Sequence, residues 1–220
     1  MRIAGVDDAG RGPIIGPLAI AGVLLEEEDL PKLVALEVRD SKVLSPRKRE
    51  RLAKEIGALA LKCHVIMIPP AEIDRVVETG RKLHKLNRLE AQTMAQVITA
   101  LKPDIAYVDA SDVLADRFKN HIEENLSFKV QIVSEHKADS KYPIVSAASI
   151  IAKVERDKAI SKLREKYGDL GSGYVTDPKT IKFLENWIKN SGDYPDFVRK
   201  SWKPAKKLKE RAESEQVKLV

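Results

Sequence analysis

Through the first three quarters of the chain, short apolar runs of strand type alternate with segments whose apolar residues recur every three or four positions. That order predicts an α/β domain built on a single sheet. The candidate strands are Arg2–Asp7, Ile15–Leu24, Lys62–Ile68, Asp104–Asp109 and Phe128–Val133. The first two are joined by a short turn and are expected to be antiparallel. The later ones follow helices and are expected to be parallel or mixed, which gives a mixed sheet with helices on both faces. Ser45-Pro46 opens a helix with Leu52, Ile56 and Leu59 on one face. Asn87, with Glu90 three residues on, opens another that carries Met94, Val97, Ile98 and Leu101. A long helix is predicted from Pro143 to Tyr167, with Ile144, Ala148, Ile151 and Leu163 turned inward and Gly168 placed to stop it.

After Gly171-Ser172-Gly173 the character changes. From Asp177-Pro178 onward the pattern is helical without a strand, and Ile181, Leu184 and Ile188 form one apolar stripe. The last segment carries Arg199, Lys200, Lys203, Lys206, Lys207, Lys209 and Arg211. Residues 1–176 are therefore expected to form the main domain and 177–220 a helical appendage with a basic face, disordered after Glu213. A length of 220 residues suits one principal core with such an appendage. No apolar run reaches the roughly 18 residues of a membrane span. The run from Ile14 to Leu25 follows Asp7 and Asp8 where a secretory leader would be basic, and Pro17 interrupts it.

Cys63 is the only cysteine, which excludes an internal disulfide and a thiolate zinc cluster and points to a reducing cytoplasm. A formal charge of +6 and a pI near 9.2 favour a polyanionic partner, against the plainer reading of a solvated basic surface. Heavy use of Lys, Arg and Glu with few Asn and Gln leans toward heat tolerance.

The chemistry lies in carboxylates. Asp7 and Asp109 each end an apolar run of strand type, and in an open α/β sheet the strand ends are where ligands gather. Asp139, in "EHKADSKYP", precedes the helix start at Pro143. Any one of these aspartates alone would pass for a cap or a turn former. Two acids closing apolar strands are harder to dismiss, because a charge buried there without a cation costs several kcal/mol. Carboxylates without cysteine or paired histidine suit Mg²⁺ or Mn²⁺ rather than zinc, and His64, His84, His121 and His136 are each isolated. Neighbours on a strand point to opposite faces, so Asp7 and Asp8 can serve one centre only if the strand ends there and the backbone turns. Ala9-Gly10-Arg11-Gly12 is expected to supply that turn, either as an ordinary hairpin or as a site where Arg11 meets a phosphate or ribose. "IAYVD" also suits a P-loop enzyme, but no G-x-x-x-x-G-K-[ST] is present.

The segments "GVDDAGRGP" (5–13), "RDSKVL" (39–44), "YVDASD" (107–112), "EHKAD" (135–139), "SAASIIAKVERD" (146–157), "GSGYVTDP" (171–178) and "RKSWK" (199–203) occur in the order seen in ribonuclease HII. The chain resembles that family over nearly its whole length, and its archaeal members most. The resemblance implies a ribonuclease H-like fold and a metal-dependent endoribonuclease that cleaves the RNA strand of RNA/DNA hybrids and cuts at single ribonucleotides in DNA. It places the metal-binding catalytic acids at Asp7, Asp8, Asp109 and Asp139. It gives Gly10, Arg11 and Gly12 to recognition of the ribose 2′-hydroxyl, and Tyr174 to stacking where RNA gives way to DNA, against the alternative of a loop aromatic packed on the core. Lys42, Ser146 and Lys153 match positions near the phosphate backbone. The implied reaction uses two Mg²⁺ or Mn²⁺ ions and yields 5′-phosphate and 3′-hydroxyl ends.

Two departures stand out. Position 8 is Asp where the family almost always has Glu, one methylene longer, and Val175 follows Tyr174 where proline is common. The shorter acid opens an alternative, a hybrid-binding protein with impaired cleavage. A junction resolvase or integrase-like nuclease of the same fold is a further rival, distinguished by cutting DNA that contains no ribonucleotide. The ending "SEQVKLV" lacks the paired aromatics with which many relatives hold a sliding clamp, so that partner is not expected. A monomer is.

Overall fold

The computed structural model describes residues 1–38, 44–79 and 85–217, and the positions in 39–43, including Lys42, lie outside it. Strands β1 (Arg2–Ala9), β2 (Leu18–Glu26), β3 (Lys62–Ile68), β4 (Ile105–Asp109) and β5 (Gln131–Glu135) form one sheet in the order β3-β2-β1-β4-β5. β1 is antiparallel to β2 and parallel to β4, and β4 is parallel to β5. The helices are α1 (Leu30–Ala35), α2 (Pro46–Leu59), α3 (Pro70–Thr79), α4 (Lys85–Leu101), α5 (Ala115–Glu123), α6 (Ala138–Lys141), α7 (Pro143–Tyr167), α8 (Pro178–Ser191) and α9 (Lys203–Val217). No described helix is long and apolar enough to cross a membrane.

Several boundaries differ from those expected, each for a physical reason. β2 begins at Leu18 rather than Ile15, because Gly16 has φ +91° and Pro17 has no N–H to give a ladder. Ile15 instead forms a lone bridge with Val198. β5 runs from Gln131 to Glu135 because its register with β4 pairs Ile105 with Gln131 and Asp109 with Glu135. α4 is already helical at Lys85, and the Asn87 side chain bonds the Asp112 carboxylate instead of capping the helix. α9 continues through Val217, past the expected limit of order at Glu213.

The chain divides into two compact units. The first holds residues 1–9, 19–67 and 83–155. Within it, alternation along β1 and β2 assigns the sheet faces. A side chain on Gly5, which pairs with Val23, would meet the backbone of Ile144 and Val145 in α7. One on Gly22, which pairs with Val6, would meet Val97 and Leu101 of α4. α7 and α4 therefore cover opposite faces, and a close approach is possible on each only because a glycine stands there. The α7 face has Ile3, Ala21, Val23 and Leu25 packed with Leu52 and Ile56 of α2 and with Val145, Ala148 and Ala152 of α7.

The second unit holds residues 10–18, 68–82 and 156–220. Its core joins Ile14 and Ile15 to Ile160 of α7, Leu184 and Ile188 of α8, and Ala205 and Leu208 of α9. Asp177 caps α8 at the Lys179 N–H, 2.9 Å, and with its other oxygen accepts from the Ser172 N–H at 2.6 Å, so the 171–174 loop is tied to the start of α8.

Candidate active site

β1 does not end at Asp7. It runs in register through Asp7 opposite Ala21 and Asp8 opposite Ile20 to Ala9, and the turn begins only at Gly10, with φ +94°. The strand-end turn expected to swing both acids to one side is absent at that point. Asp7 shares the α7 face with Gly5, and Asp8 takes the opposite face. Asp109 falls on the Asp7 face too: β1 and β4 pair Gly5 with Tyr107 and Val6 with Val108, and one further step sets Asp109 beside Asp7. Asp139 is delivered by α6, whose Ala138 N–H donates to Asp109 Oδ1 at 2.8 Å. Three of the predicted acids thus collect on one side of the sheet and the fourth starts from the other.

Asp7 is 4% exposed. Burial, then the Asp8 and Asp109 carboxylates, push its pKa well above the usual aspartate value, against the opposing pull of the Ser149 hydroxyl on α7 and the Asp8 N–H, 2.7 Å from Oδ1. Asp8 is half-buried and its Oδ1 accepts from Ser111 Oγ at 3.1 Å. The Ser146 hydroxyl donates to the Asp139 carbonyl oxygen and is buried, so its direct bond ties the first turn of α7 to Asp139. Lys153 is half-buried, two turns further along α7.

Oxygen donors that crowd one another and resist ionisation are the chemistry a divalent cation relieves, and the donor set fits Mg²⁺ or Mn²⁺. Among the described residues no three acids, histidines or cysteines already close round a point that could hold a metal ion. The carboxylates are turned instead to Ser149, Ser111 and the Ala138 N–H.

In the second unit, the turn at Gly10-Arg11-Gly12 is fixed by Arg199. This side chain is fully buried, and donates from Nε to the Gly16 carbonyl at 3.2 Å, from Nη1 to that of Arg11 at 2.7 Å and from Nη2 to that of Gly10 at 2.5 Å. Sequence reading counted Arg199 among the solvent-facing basic residues; it is an internal clamp. The Ile14 N–H donates to the Gly173 carbonyl at 2.8 Å and the Arg199 N–H to the Ile14 carbonyl at 2.9 Å, so one segment is held from both sides. Tyr174 is 42% exposed, and its ring edge lies 3.6 Å from where a Gly12 side chain would begin.

The model for ribonuclease HII matches residues 4–205. The chain belongs to the ribonuclease HII family. It is 48% identical over 217 residues to ribonuclease HII of Thermococcus kodakarensis, covering 98% of this chain and 92% of that one. The crystal structure of ribonuclease H2 from Pyrococcus horikoshii superposes with a TM-score of 0.89 at 43% identity, over 97% of this chain and 99% of the other. Ribonuclease HII of Archaeoglobus fulgidus, solved as a complex with PCNA, gives 0.82 at 45% identity over 92% and 96%. A Bst ribonuclease HIII, solved with Mn²⁺, shares the fold at 22% identity, with a TM-score of 0.81 over 97% of this chain and 71% of that one. The protein is a metal-dependent endoribonuclease of the ribonuclease H type, acting on RNA/DNA hybrids, and the mixed five-stranded sheet flanked by helices is that of its relatives.

Sequence reading missed Ser111, Ser149, Arg156 and Arg199 as residues packed about these groups. Arg156 left a signal: Ser149, Ala152, Arg156 and Ile160 follow helical spacing along one stripe of α7. A cation in a stripe that is otherwise small and apolar is out of place unless something nearby needs it.

Proposed function

We propose that the enzyme incises on the 5′ side of single ribonucleotides embedded in duplex DNA as well as within uniform hybrids, leaving 5′-phosphate and 3′-hydroxyl ends. The observation that carries the reading is the gathering of Asp7, Asp109 and Asp139 on the α7 face, where burial, and after it the Asp8 and Asp109 carboxylates, raises the Asp7 pKa above its ordinary value. Two Mg²⁺ or Mn²⁺ ions bound there would acidify the attacking water and stabilise the leaving 3′-oxygen. Asp7, Asp109 and Asp139 would hold the ions, and Asp8 would complete the set by turning from the far side of β1 or through a water. Ser149 and Ser111 orient Asp7 and Asp8. No side chain acts as a covalent nucleophile.

Arg11, with the backbone of Gly10 and Gly12, reads the ribose 2′-hydroxyl in this proposal, and Tyr174 stacks at the junction where RNA gives way to DNA. Lys42, Ser146 and Lys153 lie along the phosphate backbone in this proposal, and the Ser146 hydroxyl also donates to the Asp139 carbonyl oxygen. Residues 1–176 carry catalysis and 177–220 add phosphate contacts, in a cytoplasmic monomer. One relative, from Archaeoglobus fulgidus, was solved in complex with PCNA.

The test maps the cut in a DNA duplex carrying one ribonucleotide, with Mg²⁺ and separately with Mn²⁺, for the native chain and for Asp8→Glu. Cleavage 5′ to the ribonucleotide by both is expected, faster by about tenfold for the longer acid if reach limits the site. Cleavage by the variant alone would make the native chain the impaired, hybrid-binding form. Cleavage by neither would remove single-ribonucleotide incision from its activities.

A further inference from the structure

Arg156 stands in the second half of α7 and is 2% exposed. Its Cδ and Nε fill the space a Gly10 side chain would need, and its Nη2 is 3.7 Å from where a Gly173 side chain would begin. Its guanidinium carbon lies 5.6 Å from the centre of the Tyr174 ring. Among the described residues its ion-pair partner is Asp157, 4.0 Å from Nη1. Nε and Nη2 donate to no group among the described residues.

Fold stability alone gives no reason for this choice. A buried guanidinium with unmatched donors is a net cost that a methionine of similar length would avoid, and burial indeed lowers the pKa of Arg156. What the side chain has in return is contact with both elements of the proposed ribonucleotide reader. Its stem lies under Gly10, its charge faces the Tyr174 ring, and that ring lies against Gly12. Arg199 binds the turn by its carbonyls, and Arg156 touches both the turn and the ring.

We propose that Arg156 is a positioning residue for ribonucleotide selectivity, holding the Tyr174 ring at a set spacing from the Gly10-Arg11-Gly12 turn by a desolvated cation–π contact. This rests on the assignment of Arg11 and Tyr174 given above. It assigns Arg156 no contact with the nucleic acid.

The experiment measures kcat and KM for Arg156→Met, Arg156→Lys, Tyr174→Ala and the Met/Ala double variant. Two substrates are used, a DNA duplex with one ribonucleotide and a uniform RNA/DNA hybrid. The quantity read is the ratio of kcat/KM on the first to that on the second. Arg156→Met is expected to lower this ratio by about 5- to 30-fold, the range a desolvated cation–π contact commands. Arg156→Lys, which keeps stem and charge, should lose less, and the double variant should fall no further than Tyr174→Ala.

Equal losses on both substrates, or losses that multiply in the double variant, would show a purely structural arginine and overturn the inference. If Tyr174→Ala lowers the ratio and Arg156→Met leaves it unchanged, the inference alone fails. If Tyr174→Ala itself leaves the ratio unchanged, the reading of Tyr174 fails first. Should Arg156→Met not fold, the cycle of Arg156→Lys with Tyr174→Leu reads the same coupling: about threefold non-additivity supports the inference and strict additivity overturns it.

Discussion

The protonated form of Asp7 is favoured by burial and by two neighbouring carboxylates, and this sets how the metal-free protein responds to pH. Below the ordinary aspartate pKa of 3.8 the folded and unfolded chains are both protonated, and Asp7 is neutral in the balance. As pH rises past 3.8 the unfolded chain ionises first, so stability falls until the raised folded-state pKa is passed. Asp7→Asn removes that loss. In the presence of a chelator its unfolding midpoint at pH 7 should exceed that of the native chain by about 2–4 °C, the gap closing toward pH 4. Mg²⁺ or Mn²⁺ should stabilise the native chain and not the variant, which should not cleave. Parallel pH profiles would show that Asp7 is not the strained group. At this scale the sequence was legible where a charge closed an apolar run, as at Asp7 and Asp109. It was opaque at Arg156 and Arg199, because an arginine in a single sequence reads as surface until its neighbours in space are known. Asp8 lay between these cases: its identity was plain, but its face depended on β1 continuing to Ala9.

Glycine 5 and glycine 57 show how an element's setting decides the sign of one substitution. A Cβ on Gly5 would strike the Ile144 carbonyl and the Val145 nitrogen, backbone atoms of α7 that cannot rotate away. Gly5→Ala should therefore push β1 off α7 and cost about 3 kcal/mol, the upper range for overpacking. Because Asp7 and Ser149 lie on those same two elements, cleavage should fall with it. A Cβ on Gly57 meets nothing within 4 Å, on the exposed side of α2. Gly57→Ala should stabilise by about 0.5–1 kcal/mol with activity unchanged, since a helix interior gains from the loss of backbone freedom in the unfolded chain. Urea midpoints of the two variants check both signs, and a stabilised or unaffected Gly5→Ala would refute the packing described. Helices and the sheet's mixed character were legible from periodicity and connection length. Strand ends were not, because they follow from register: β5 stops where β4 does, a fact held by the pairing and not by either segment.

For the whole molecule, net charge is a poor measure of the charge offered to a polyanion, and the structure redistributes it. Of the basic residues that mark the C-terminal segment, Arg199 is internal. Lys200 and Lys209 converge on Asp193, each at 2.9 Å, and hold its carboxyl far below the usual range, while Lys206 meets Glu78 at 3.4 Å. Lys203, Lys207 and Arg211 are exposed and four residues apart, one stripe of α9 opposite Ala205 and Leu208, with no ion pair among the described residues. A cation already matched by a carboxylate displaces few counterions when a phosphate arrives. An unmatched one that takes a phosphate contributes about 0.9 to the slope of log Kobs against log salt. If α9 meets the duplex, replacing all three stripe residues by Gln should flatten that slope by about 2–3, whereas Lys206→Gln should change it by less than about 0.9. Binding would be followed in an Asp7→Asn background so that the hybrid stays whole. A triple variant with the native slope would place the phosphate contacts elsewhere and leave α9 as a packing element of the second unit, whose Ala205 and Leu208 already account for its position.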